Sequence, residues 1–134
     1  MNLLSITKIT GIAGVPDPGA PGLFAEIVVG LPKREIRLRC DAEGDALVHS
    51  GGRKRKRADA VPILEGIHRV ECLWALTNPD GVFDGLRLQV AAKGAGRVLE
   101  ILAVEGGLEV CEARLCVFKP ARPRAVARAA KAKR

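Results

Sequence analysis

Tyrosine is absent, and Phe24, Trp74, Phe83 and Phe118 are the chain's four aromatic residues. The core must therefore be aliphatic, built from Leu, Ile, Val and Ala. The same scarcity argues against recognition of single-stranded or specific nucleic-acid sequences, which needs aromatic platforms interleaved with basic residues. No stretch approaches the roughly 18 apolar residues of a membrane-spanning helix. The N-terminus, Met1 to Lys8, has no basic segment ahead of its apolar residues and is broken by Lys8, so it reads as a first strand and not as a signal peptide, which predicts a cytoplasmic protein.

Cysteine is sparse too. Cys40, Cys72, Cys111 and Cys116 form no CxxC pair, and His49 and His68 are the only histidines to complete a metal site. Each cysteine falls in an apolar or alternating stretch, which predicts buried, reduced thiols and neither a metal nor a cofactor. Catalytic motifs are missing as well. Ser5 and Ser50 are the only serines, there is no G-x-S-x-G or H-E-x-x-H, and Gly51-Gly52-Arg53-Lys54 does not fit a phosphate-binding loop. The expectation is a protein that is not an enzyme.

What the chain does have is positive charge, unevenly placed. Of its 22 basic residues, five form the unbroken run Arg53-Lys54-Arg55-Lys56-Arg57, and seven lie after Phe118: Lys119, Arg122, Arg124, Arg128, Lys131, Lys133 and Arg134. The tail contains no acidic residue, so its seven charges account for the whole net charge of +7, and residues 1–118 balance. This pattern predicts an electrostatic grip on a polyanion such as a nucleic-acid backbone, through Arg53–Arg57 and the tail. Solvated solubilising segments, or an intramolecular clasp with the otherwise acidic body, are the competing uses of the same charge.

Local patterns predict a mainly β domain over residues 1–118, an antiparallel sandwich or small barrel ending in a meander, followed by a flexible basic tail over 119–134. Strands are expected at 3–9, 23–30, 35–40 and 46–49, and then at 67–77, 82–92, 97–104 and 108–118. Gly11 to Gly22 reads as a loop and Val61 to Gly66 as irregular. In Glu35-Ile36-Arg37-Leu38-Arg39-Cys40 the strict alternation sends Ile36, Leu38 and Cys40 inward and the charges to water. The same logic places Val70, Cys72, Trp74 and Leu76 on one inward face, and Leu86, Leu88 and Val90 on another. Asn78-Pro79-Asp80-Gly81 predicts a type I turn with a left-handed glycine. Asn78, Asp80 and Asp84 are oxygen-bearing, but their spacing suits turn chemistry better than a cation loop. The tail's Ala-, Arg- and Lys-rich end is expected to be disordered in isolation and helical only on a surface.

The stretch from Trp74 to Leu88, W-x-L-x-N-x-x-G-x-x-D-x-L-x-L, resembles the central hairpin of small, uncharacterised bacterial β-rich domains, with Val82 standing where an aromatic is usual. The resemblance implies a compact β domain and transfers no site residues. The combined reading is a non-catalytic binding module, monomeric or a small homo-oligomer and away from membranes. The alternative is a protein-interaction domain with an acidic protein partner, such as a bacterial immunity or accessory protein.

Overall fold

The computed structural model describes residues 5–104 and 106–113. Among the described residues there are eight strands: β1 (Lys8–Pro16), β2 (Phe24–Gly30), β3 (Glu35–Cys40), β4 (Leu47–Gly52), β5 (Val61–Thr77), β6 (Phe83–Ala92), β7 (Ala95–Val104) and β8 (Gly107–Ala113). All pairings are antiparallel, in the order β1-β5-β6-β7-β8-β2-β3-β4, and an additional β1–β2 pairing closes the first six strands into a barrel. The protein is thus mainly β, with no α-helix among the described residues. The tail from Lys119 to Arg134, including every basic residue predicted there, lies outside the described residues.

β2 is where the sheet forks. Along one edge it pairs with β1 from Gly30 back to Phe24. Its other edge meets β8 at the single pair Phe24–Leu108 and β3 along Ile27–Gly30. The β3–β4 hairpin is therefore an extension of the barrel wall. The core is aliphatic, as the composition requires: Ile9, Ile27, Leu38, Leu88, Val90, Ile101 and Leu108 are at most 1% exposed. Leu86, Leu88 and Val90 face inward as the alternation predicts, and β5 to β8 form the expected meander.

Several expectations need correction. Among the described residues the first strand is Lys8–Pro16, overlapping the expected 3–9 only at its end, so much of the segment read as a loop is strand; Leu3 and Leu4 lie outside the described residues. Its glycines are close-approach positions: a Cβ on Gly14 would stand 2.4 Å from the Phe24 ring, and Gly11 takes φ +151 with the Leu64 carbonyl pressed against it. Glycine here lets one strand bend between two partners and close the barrel. Val61–Gly66 is also strand, the part of β5 that pairs with β1.

Farther along β5, the pairing steps from Val70–Val90 to Cys72–Gln89, leaving Glu71 as the extra residue of a bulge. A bulge reverses the in–out alternation beyond it. Cys72 and Trp74 consequently point outward and Leu73 packs on the core, while Leu76 is buried outside the main core, beside Gly85 and Leu102, and not on the inward face expected for it. Trp74 is 42% exposed, with the Arg87 guanidinium 5.4 Å from its ring centre. The thiols also depart from expectation. Cys72 is exposed, and Cys40 and Cys111 are only half-buried, the Cys40 thiol donating to Gly107 O at 3.0 Å. Cys116 lies outside the described residues.

The hairpin turns are closer to expectation. Asn78 Oδ1 accepts from the N–H groups of Asp80 and Val82 at 2.9 and 3.0 Å, and Gly81 takes φ +82, as a bulged type I turn requires. Asn78 therefore does turn chemistry, whereas Asp84, read with it as a turn residue, lies on β6 and is 1% exposed. Between β6 and β7 the turn is Lys93-Gly94, with both residues at positive φ.

Candidate polyanion-binding face

The strand order dictates the course of the basic run. β4 is the last strand of the sheet and β5 lies beyond β1, so the eight-residue link 53–60 must cross β3, β2 and β1. Four strand spacings amount to roughly 19 Å, within the roughly 26–29 Å that eight extended residues can reach. The run is therefore a strap laid across the outer face of the β3–β2–β1 wall.

That face is not the solvated surface that the alternation of β3 suggests. Glu35 and Arg37 are 3% and 8% exposed, because the strap covers them. The Glu35 carboxylate is the hub. Oε2 accepts from Arg57 at 2.7 Å and from Arg37 at 2.9 Å, and Oε1 accepts from the Arg55 backbone N–H at 3.0 Å and from Arg57 at 3.2 Å. Burial opposes ionisation of this carboxyl, but the bonds from Arg57, the Arg55 N–H and Arg37 outweigh it and lower its pKa to about 2. Arg57 also pairs with Glu26 on β2 at 2.9 Å, and Glu26 holds Arg39 at 3.0 Å. Hydrogen bonding to Glu35, partly offset by burial, raises the Arg57 pKa above its ordinary value. Arg37 reaches on to the Arg53 carbonyl at 3.0 Å.

Gly51 and Gly52 are part of this construction. They are the last residues of β4, paired with Ile36 and Glu35. A Cβ on Gly52 would come within 2.8 Å of the Arg37 guanidinium, which lies flat over it. Gly52 thus makes room for the side chain that pins the start of the strap.

The basic run divides accordingly. Arg57 is a structural clamp with 14% of its side chain exposed, whereas Arg53, Lys54, Arg55 and Lys56 are exposed. Lys54 leans towards β1, its Nζ 3.5 Å from Thr10 Oγ1. Together with Arg55 it borders a groove of about 520 Å³ whose floor includes Ile12, Val28 and Leu64, with Glu35 and Glu65 in its walls. The β3–β4 register adds two cations that the sequence reading did not single out. Pairing Glu35 with Gly52 brings the β2–β3 turn beside the start of the strap. Lys33, Arg34 and Arg53 there line a second notch of about 400 Å³ with Gly51 and Gly52, and no carboxylate is among them. Lys33 and Arg34 lie in the link between β2 and β3, and only the hairpin register shows where that link lands.

Asp41, Glu43 and Asp45 bring carboxylate oxygens within 4.8 Å of one another in the β3–β4 turn. Asp41 Oδ1 is engaged there by the N–H groups of Asp45 and Ala46 at 3.0 and 3.1 Å, which suits a turn-stabilising carboxylate. Comparison of the chain with protein-family models, with curated proteins and with solved structures returns no match, so the geometry of this face is what any functional reading must rest on.

Proposed function

We propose that the protein is a non-catalytic binding module whose basic face, Lys33, Arg34, Arg53, Lys54, Arg55 and Lys56, contacts the phosphate backbone of nucleic acid. One observation carries the reading: the Glu35 hub fixes the strap on a folded wall so that four of its five cations project outward beside Lys33 and Arg34. Cations held in place before a ligand arrives lose less conformational entropy on binding than cations on a loose loop. With no aromatic residue in the strap, contact is limited to the backbone and selectivity among sequences is low. The tail residues Arg122, Arg124, Arg128, Lys131, Lys133 and Arg134 add to the grip in this proposal as a sequence-based expectation.

Fluorescence anisotropy with labelled duplex DNA and duplex RNA across a salt series tests it. Affinity should fall linearly in log–log form, with a slope approaching about 0.9 per phosphate neutralised. Exchanging Lys33, Arg34 and Arg53–Lys56 for glutamine should flatten that slope for every sequence tested. Unchanged binding in that variant, or binding insensitive to salt, refutes the proposal.

A further inference from the structure

β4 ends the sheet and pairs only with β3, over all six of its residues and without a register shift. Its outer edge has no partner strand among the described residues. Sheet edges expose alternate N–H and C=O groups, and proteins usually blunt them with lysine, proline or a bulge. Leu47-Val48-His49-Ser50-Gly51-Gly52 has none of these, residues 48–51 are exposed, and Val48 is 49% exposed.

The charges sit at the two ends of this uncharged edge and have opposite signs. Asp41, Glu43 and Asp45 form the acidic corner before the strand, Asp45 standing two residues ahead of it. The Lys33–Arg34–Arg53 notch lies at its other end, Arg53 following directly on Gly52. An antiparallel copy, related by a two-fold axis through the middle of the strand, brings each acidic corner to the other copy's notch. A parallel copy sets like charge on like.

We infer that β4 is an interface with a second copy of this chain, pairing antiparallel with its own counterpart to continue the sheet. The occupant is identified by this self-complementarity: one edge carries both halves of the charge pattern that it needs. Six-residue edges bury less than the roughly 1,200 Å² of a stable complex, so the dimer is weak, concentration-dependent and weakened by salt. The two readings share Lys33, Arg34 and Arg53, and the dimer is tested apart from nucleic-acid binding because its readout contains no polyanion.

Sedimentation velocity on nuclease-treated full-length protein, over a concentration series at low and high salt, is the test. The wild type should move from monomer to dimer with rising concentration, more readily at low salt. Val48→Lys, a change at an exposed position with unchanged circular dichroism expected, should remain monomeric where the wild type is half dimer. The charge-reversed variants Glu43→Lys/Asp45→Lys and Arg34→Glu/Arg53→Glu should each stay monomeric alone and form a heterodimer when mixed, since both contacts are then opposite in sign. A wild type that is monomeric throughout overturns the inference. So does self-association indifferent to Val48→Lys, or a mixture of the two reversed variants that does not associate.

Discussion

Replacing Glu35 with glutamine keeps the shape of the side chain and removes the charge on which the strap is fastened. The wild-type carboxyl titrates at about 2 in the fold against an ordinary 4.5. At about 1.4 kcal/mol per pH unit, its ionisation contributes roughly 3 kcal/mol of stability at neutral pH. A neutral amide stands in for the protonated acid, so Glu35→Gln should lose about that much. The same order is expected when one partner of a buried ion pair is removed and the others stay buried, about 3–5 kcal/mol.

The pH dependence makes the prediction specific. A depressed folded-state pKa gives stability that is fully present above 4.5 and is lost as the pH falls through the folded value. The gap between wild type and variant should therefore shrink by about half by about pH 3. Urea unfolding followed by circular dichroism reads it directly. With a slope of about 1.5 kcal/mol per molar urea, the neutral-pH midpoints should differ by about 2 M. Limited trypsin digestion supplies a second readout, since cutting within Arg53–Arg57 should be slow in the wild type and fast in Glu35→Gln. A stability gap that is the same at neutral and acid pH, or below about 1 kcal/mol at neutral pH, would refute the hub argument.

Gly52→Ala should push the Arg37 guanidinium off Glu35 and the Arg53 carbonyl, costing about 1–2 kcal/mol in urea unfolding and quickening the same tryptic cuts. Gly14→Ala drives a methyl group into the Phe24 ring at the β1–β2 closure and should lower the thermal midpoint, with Phe24→Leu in the same chain recovering part of the loss. Trp74, the only tryptophan, should fluoresce at the red end of its range and be readily quenched by acrylamide. Trp74→Ala should cost about 1 kcal/mol, the cation–π contact with Arg87 included, and well short of the roughly 3–5 kcal/mol of a core tryptophan.

What could be read from the sequence was local. Asn78-Pro79-Asp80-Gly81 carries its own turn chemistry, and the alternation of β6 names its inward residues without reference to other strands. The errors arose where distant chain decides the environment. Alternation in Glu35–Cys40 correctly separated two faces, but it could not show that residues 53–57 return to roof over the charged one. Glu71 looks like any other polar strand residue, and nothing near it announces the bulge that turns Trp74 outward. Glycines 11 and 14 carried the composition of a loop, although they serve a strand that must bend. Half of the candidate site was visible as the run Arg53–Arg57. That Arg57 is spent inside the fold, and that Lys33 and Arg34 stand alongside, follows from strand order and register alone.

The fork at β2 separates a soft joint from a stiff one. Barrel closure between β2 and β8 rests on the single pair Phe24–Leu108, helped by the Cys40 thiol on Gly107, whereas β1, β2, β3 and β4 are laced together along most of their lengths. Local opening follows the thinnest bonding, so the wall should breathe along the β2–β8 seam while the four-strand plate beneath the strap moves as one piece. Load on the strap then falls on a plate with a built-in relief line elsewhere, and thermal motion of the barrel is kept away from the Glu35 hub.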